Sequence, residues 1–370
     1  MIIRKPDYYD RFHCIAGACS DSCCIGWEID VNEERREQYR KETGEIGQRL
    51  HAFIDWEEGH FILQGKEERC PFLNEDNLCD LILELGEESL CEICREHPRY
   101  YDWYDGLTEV GVGLCCEEAA RLILENENKA YFVECEEPDD EPVLENDPEE
   151  AQITQALMHA RETAFSILQN RTYSVWQRMS VFLSYVDELQ DALDFGNPDE
   201  IKESAEYYRD MVPEINSESG RDWIPALKKV LDYCERLEPI DEMWPVRMKK
   251  LRMLLEMPEV FNKAERNMRT DLQGRDYEYE HLAVYFVYRY FMKCREDGDI
   301  FSRGCLTVFC ILLIRLLDIA KYLETGSLSK VNRAHNSKDC SKEIEYSEEN
   351  LALLAEMFWE DGFEKIAGCL

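Results

Sequence analysis

Ten of the chain's 17 cysteines fall between Cys14 and Cys116, in four groups set among turn-forming residues. Cys14, Cys19, Cys23 and Cys24 come first, in FHCIAGACSDSCCIGW. Thiolates that share a metal must converge, so the chain between them has to turn sharply. Gly17, Ser20, Asp21 and Ser22 allow such turns, and Trp27 can shield the site from water. Cys70 and Cys79 bracket the turn sequence of CPFLNEDNLC, which should bring the two thiols back together. Cys91 and Cys94 form a C-x-x-C step, a spacing that lets two thiolates bind one metal. Cys115 and Cys116 open GLCCEEAARLIL at an expected helix start, where a thiol is more readily ionised. Four thiolates satisfy zinc or an iron–sulfur cluster equally well. Neighbouring side chains diverge, so the Cys23-Cys24 pair fits a polynuclear cluster or two nearby sites better than a single zinc.

The reading depends on compartment. The N-terminal MIIRKPDYYDRFHC has no apolar stretch of signal-peptide length, so a soluble, cytoplasmic protein is expected. In a reducing cytosol, clustered cysteines are metal ligands or catalytic groups rather than disulfides. The seven scattered cysteines, Cys135, Cys234, Cys294, Cys305, Cys310, Cys340 and Cys369, read instead as small buried hydrophobes. His13 and His97 flank cysteine motifs, with surface or hydrogen-bonding roles as the ordinary reading. Met243, Met248, Met253 and Met257 stand near helical spacing and read as core.

A net charge of −37 argues against nucleic acid, which requires Lys and Arg to displace counterions. It suits attraction of basic groups on a protein substrate, although solvated helix faces account for most such charge. The longest uncharged apolar run, Cys305 to Ile314, is too short to cross a bilayer and reads as a buried helix, so no membrane partner is expected.

The expected fold is mainly α, a small Cys-rich metal-binding N-terminal domain followed by an α-helical bundle domain. The boundaries are a cluster domain over 1–135, an acidic linker over 136–150 and a helical domain over 151–370. The linker, EEPDDEPVLENDPEE, combines three prolines with nine acidic residues and no basic one. Beyond it, apolar residues recur at three and four positions in ITQALMHARETAFSILQ, VWQRMSVFLSYVDELQDAL and five later segments. About seven to nine helices are expected, broken at Asn197-Pro198, Gly274 and Gly298.

FHCIAGACSDSCCIGW, CPFLNEDNLC, CREHPR and CCEEAARLIL together resemble the flagellin lysine-N-methylases, which carry a wider Cys-cluster module. The resemblance covers the whole cysteine-rich part in order and extends more loosely to SKEIEYSEENL. It implies methyl transfer from S-adenosylmethionine to lysines of flagellin, with a [4Fe-4S] cluster. It marks Cys14, Cys19, Cys23, Cys24, Cys70, Cys79, Cys94 and Cys116 as metal ligands. Cys91 and Cys115 fall where the family has other residues, and His97 stands where it has tyrosine.

Lysine methylation needs a neutral amine aligned with an electrophilic methyl group, and aromatic rings suit a cationic sulfonium. Arg99, Tyr100 and Tyr101, in HPRYYDWYDG, are the candidate cofactor contacts. Aromatic packing, and a surface ion pair for Arg99, are the ordinary alternatives. No Cx3Cx2C triad is present, so an ordinary radical S-adenosylmethionine enzyme is not expected, and Gly111-Val112-Gly113 reads as a turn. The cofactor pocket is expected where the cluster and helical domains meet. A non-enzymatic zinc-binding scaffold and an iron–sulfur electron carrier are the competing functions.

Overall fold

A computed structural model describes residues 1–104, 106–136, 148–209, 211 and 222–370. The cysteine-rich part contains β1 (Ile2–Pro6), α1 (Glu33–Tyr39), α2 (Gly44–Phe53), β2 (Ile54–Asp55), β3 (His60–Phe61), α3 (Asp80–Leu85), α4 (Glu92–Glu96), β4 (Arg99–Tyr104), β5 (Leu107–Val112), α5 (Glu117–Glu125) and β6 (Phe132–Glu136). The sequence reading anticipated short helices between turns here, and the sheet is the main addition. Its strand order is β4-β5-β1-β6, with β1 parallel to β5 and antiparallel to β6. Gly111-Val112-Gly113, read as a turn, instead lies in and just after β5. Glycine is required at 111 because Tyr100 of the facing strand lies across it. A Cβ there would stand 2.3 Å from the phenol oxygen.

The helical part runs through α6 (Pro148–Leu168), α7 (Val175–Asp194), α8 (Pro198–Arg209), α9 (Ile224–Cys234), α10 (Trp244–Leu255), α11 (Pro258–Asp271), α12 (Tyr277–Tyr290), α13 (Cys294–Asp297), α14 (Ile300–Thr325), α15 (Lys330–Glu345) and α16 (Glu348–Asp361). The molecule is thus mainly helical with a small sheet, and the segments with helical periodicity fold as helices. Breaks fall as expected, with α8 starting at Pro198 and Gly274 and Gly298 at positive φ. The helices outnumber the expected seven to nine because α8 and α11 carry only narrow apolar stripes (Ile201, Ala205 and Tyr208; Phe261, Ala264 and Met268) in otherwise polar segments, α15 carries almost none, and α13 is a single short turn. Of the expected linker over 136–150, Glu136 ends β6 and residues 148–150 open α6. The intervening 137–147 lie outside the described residues.

Helix α14 is central, packed against α7, α9, α11, α12, α15 and α16. Among the described residues it is the one helix long and apolar enough to cross a membrane, and 94% of its most apolar stretch is buried inside the protein. It continues through Arg315, whose buried guanidinium bonds Glu265 at 2.5 Å and sits over Trp176 and Trp223. An arginine can occupy this core because its charge is paired and its planar face is covered. Met248 is buried on α10, but Met243, Met253 and Met257 are exposed, which corrects their assignment to the core. The inward face of that helix is carried by Met248, Leu251, Leu254 and Leu255.

Two hydrophobic cores result. The larger joins the helices to Tyr8, Phe12, Val112, Leu114 and α5, so the sheet and α5 pack on the bundle. The smaller, built from Ile29, Tyr39, Leu50, Phe61 and Phe72, has all its buried members within 29–91, Cys70 and Cys91 among them, with Cys24, Ile25 and Cys94 packed against it.

Candidate functional site

Residues 14–23 form a loop laid along the start of α5. Ala16–Ala18 make one 3-10 turn, and Ala16 takes a positive φ of 48° to reverse the chain. Glu117, the first residue of α5, accepts from the Ser20 amide at 2.8 Å and lies 3.6 Å from the Cys19 sulfur. Cys116 is the N-cap of the same helix. The amides of Glu118 and Ala119 favour its thiolate, but burial outweighs them and raises the thiol's pKa. Burial likewise pushes Cys19 up to about 11. Cys14 and Cys116 both act electrostatically on Cys23, and Cys116 acts on Cys19.

After Cys23 the chain changes direction. The Cys24 carbonyl accepts from the Cys70 amide at 2.8 Å, and Ile25 bridges to Arg69. This short ladder carries Cys24 to the smaller core, where Cys79 and Cys94 also pack beside buried Cys70 and Cys91. The CPFLNEDNLC turn closes through a Leu73–Cys79 bridge, and Cys79 acts electrostatically on Cys70. Cys79 and Cys91 are the N-caps of α3 and α4. Burial pushes Cys70 up to about 12.

Two thiol pairs stand out. Cys23 hydrogen-bonds to Cys24, which holds the Cys23 proton on and favours the Cys24 thiolate. Cys94 does the same for Cys91. Among the described residues no three His, Cys, Asp or Glu side chains are arranged to hold a metal ion. Cys115 is in neither pair, because its sulfur lies 2.6 Å from the Tyr346 hydroxyl. Of the scattered cysteines, Cys234, Cys294, Cys305, Cys310 and Cys340 are buried and Cys135 is half-buried. The Cys369 side chain lies outside the described residues.

The cysteine loops meet the helical part along α15. Asp21 pairs with Lys338 and Lys342, each at 2.9 Å, and His335 lies 3.2 Å from Ser20 Oγ and 3.3 Å from Glu117. Trp27 donates its indole N–H to the Cys23 carbonyl, and its ring stands edge-on to His97 at 5.0 Å and Tyr346 at 6.0 Å. Burial, then the charges of Arg289 and Lys342, pushes the His97 pKa down to about 4, leaving a neutral imidazole. His13 is exposed. Beyond Tyr346 opens a cleft of about 460 Å³ lined by Glu238, Pro239, Ile240, Tyr346, Ser347, Glu348 and Glu349.

Arg99, Tyr100 and Tyr101 are successive residues of β4, so their side chains alternate across the sheet. Tyr100 points into the larger core under the Arg289 guanidinium, 4.8 Å from its ring, with its hydroxyl unpartnered. Arg99 covers Phe12, and Tyr101 bonds Glu96 at 2.6 Å. The three do not converge. The residues that do meet the cysteine loops, His335, Lys338 and Lys342, share one face of α15. Their near-helical spacing in HNSKDCSK was the available signal, obscured by the absence of an apolar stripe.

A family model described as the FliB lysine N-methylase C-terminal domain matches residues 161–370. The lysine-N-methylase of Salmonella typhimurium is 29% identical over 131 residues, covering 34% of this chain and 33% of that protein. The lysine-N-methylase of Salmonella choleraesuis is 26% identical over 137 residues, with coverages of 34% and 33%. The flagellar biosynthetic protein FliU of Salmonella muenchen is 28% identical over 131 residues, 34% of this chain and 78% of FliU. The chain therefore matches about a third of the length of the two lysine-N-methylases. No solved structure matches it. With more than half of its length matched by the family model, the chain belongs to the FliB lysine N-methylase family.

Proposed function

We propose that this protein is a protein-lysine N-methyltransferase that uses S-adenosylmethionine, acts on flagellin or a similarly basic protein, and carries a thiolate-held [4Fe-4S] cluster. The observation that carries the reading is the family match over residues 161–370, the half that contributes α15 and Tyr346 to the junction with the cysteine loops. The donor chemistry supports a cluster. The ligands suggested by resemblance are Cys14, Cys19, Cys23 and Cys116, on the loop along α5 and at its N-cap, and Cys24, Cys70, Cys79 and Cys94, which pack in or against the smaller core. Such thiols stay protonated when buried alone, and a soft cation compensates their ionisation.

The chain's own residues then have defined tasks. The carboxylates of Glu238, Glu348 and Glu349 draw a cationic lysine into the cleft. Tyr346 and Trp27 offer aromatic edges on the side facing the cysteine loops. When bound, S-adenosylmethionine supplies the methyl group. The ε-nitrogen must reach it neutral, so its proton leaves to solvent or to a carboxylate as the amine is desolvated.

The test is anaerobic purification followed by incubation with flagellin and methyl-labelled S-adenosylmethionine. Methyl-lysine in flagellin, together with stoichiometric iron and acid-labile sulfide, is the expected result. Colourless protein holding stoichiometric zinc and yielding no methyl-lysine would replace this reading with a zinc scaffold. An iron–sulfur protein that neither binds S-adenosylmethionine nor methylates would replace it with an electron carrier.

A further inference from the structure

We propose that the outer face of α10 docks the protein substrate, taking from it a helix whose apolar residues are flanked by carboxylates and holding it so that a neighbouring lysine enters the acid-lined cleft. The proposal rests on the reading that the cleft receives a lysine, and it adds how the surrounding segment is recognised.

Helix α10 differs in sign from the rest of the chain. It carries Arg247, Lys249, Lys250 and Arg252 and no acidic residue, alone among the described α-helices, in a protein of net charge −37. Two of these cations are held within the fold, Arg247 by Asp339 of α15 at 2.7 Å and Arg252 by Asp232 and Glu235 at 2.7 and 3.0 Å. Lys249 and Lys250 are exposed, and neither has an acidic partner among the described residues.

The same face is apolar. Met243 and Met253 are 61% and 59% exposed, and Val246 and Met257 are exposed with them. Steps of three, seven and four residues, with Lys250 four after Val246, set these side chains in one row, the pattern by which one helix grips another. Thioethers are unbranched and adapt to the side chains they meet. The row is not spare core, because Trp244, Leu251, Leu254 and Leu255 already fill the inward face.

The row begins at the cleft. Ile240, three residues before Met243, lines the cleft and is itself exposed. The amides of Ile240 and Asp241 donate to the Glu343 carboxylate of α15 at 3.0 and 2.6 Å, and the Trp244 amide donates to the Asp241 carbonyl at 2.8 Å. These bonds tie the cleft wall and the first turn of α10 together. From Met243 to Met253 the face runs about 15 Å, close to three turns. A substrate helix of that length meets Lys249 and Lys250 with its carboxylates, and a lysine at its end meets Glu238, Glu348 and Glu349. The segment must therefore carry both signs of charge in that order.

An anionic bilayer fits this face less well. The row holds Met and Val rather than the Trp, Phe and Leu of helices that lie in membranes. The basic strip is one helix wide, about 10 Å. Beyond it a flat anionic surface would face the remaining negative charge of the chain, which a Debye length of about 8 Å screens only in part.

The experiment uses the full-length chain as wild type, Lys249→Glu/Lys250→Glu and Met243→Gln/Met253→Gln, each checked by a thermal melt. The probes are flagellin, a synthetic amphipathic helix of about three heptads with Leu in its apolar row and Glu beside it, its twin with Lys for Glu, and phosphatidylglycerol vesicles. The wild type should bind flagellin and the Glu peptide but neither the Lys twin nor the vesicles. The lysine variant should bind both ligands about tenfold more weakly at low salt, and the methionine variant several-fold more weakly at any salt. KM for flagellin should rise in proportion with kcat unchanged, while a short lysine peptide is methylated as by wild type. Equal binding of the two peptides, an affinity for flagellin that is absent or unchanged in both variants, or vesicle binding that the lysine variant loses would each overturn the proposal. If the wild type methylates nothing, the enzyme reading fails, and the flagellin and peptide affinities still decide the docking face.

Discussion

The hydroxyl of Tyr346 lies 2.6 Å from the sulfur of Cys115, and this contact joins the turn that carries Cys116 to the wall of the acid-lined cleft. Tyr346 directly follows α15, the helix that also supplies His335, Lys338 and Lys342 to the cysteine loops. One polar seam thus connects the thiols to the cleft.

That geometry separates two cysteines that resemblance treats alike. Cys115 spends its sulfur on Tyr346, and burial pushes its thiol up to about 12. Cys91 is paired with Cys94 inside the smaller core. Cys115→Ala should therefore keep the full metal load and lose about 1–2 kcal/mol of stability, because the phenol is left without its partner. Cys91→Ala should lose metal. Metal analysis beside urea unfolding checks both, and equal metal loss in the two variants would contradict the assignment.

Asp21 gives the seam a pH signature. Although burial opposes it, the ammonium groups of Lys338 and Lys342 hold its carboxyl well below the usual carboxylate range. A depressed folded-state pKa contributes stability that is present above the unfolded value and lost as pH falls through the folded one. The side chain is 34% exposed, so the contribution is discounted to about 1 kcal/mol. Asp21→Asn should lower the midpoint at neutral pH, and the gap to wild type should shrink below about pH 4. A gap independent of pH would show that the two ion pairs add nothing to stability.

These features were unequally legible in the sequence. The cysteine groups and their turns were plain, because they depend on local chain geometry, but the expected divergence of Cys23 and Cys24 was not met, since a turn brings the two thiols within hydrogen-bonding reach of each other. Helices with an apolar stripe were equally plain. Helix α15 was not, since its buried positions include Arg333, Lys338, Glu343 and Glu345. Its burial is explained by distant partners: Arg333 meets Glu278 at 2.9 Å and Asp318 at 3.0 Å. The sheet was hidden for a similar reason. β1 is five residues long and pairs in parallel with a strand about a hundred residues later, which no local pattern announces. Cys91 was set aside on family grounds although it is fully buried beside Cys94.

The attachment of the sheet to the bundle can be tested at Glu109 and Arg161. Both are essentially inaccessible, and Arg161 Nη1 lies 2.7 Å from Glu109 Oε2. Removing one partner of such a pair strands the other charge in the core, at a cost of about 3–5 kcal/mol. Replacing both with apolar residues of similar volume removes that penalty. Glu109→Gln and Arg161→Met should each be strongly destabilised, and Glu109→Leu/Arg161→Met should recover much of the loss in urea melts. Additive losses would mean that the two side chains are not energetically coupled.

The cleft offers the most direct test of how a basic substrate is drawn in. Glu238, Glu348 and Glu349 line a space of about 460 Å³ beside Tyr346, and the chain as a whole carries a charge of −37. Separating local from global attraction requires reversing charge at the cleft and, in a matched control, elsewhere. Glu348→Lys/Glu349→Lys changes the net charge by only four units, as would two reversals at the exposed Glu203 and Glu206 on α8. If the cleft recruits lysine, the first variant should bind a lysine-bearing flagellin peptide roughly tenfold more weakly at low salt, at under about 1 kcal/mol per charge. The α8 variant should bind nearly as wild type, and all three affinities should converge near 1 M salt, where screening reaches about 3 Å. Glu348 and Glu349 also lie in the first turn of α16, so each reversal costs that helix about 0.5 kcal/mol, and a thermal melt must accompany the titration. Equal weakening by the cleft and α8 variants would assign the attraction to overall charge and remove the cleft as the point of entry.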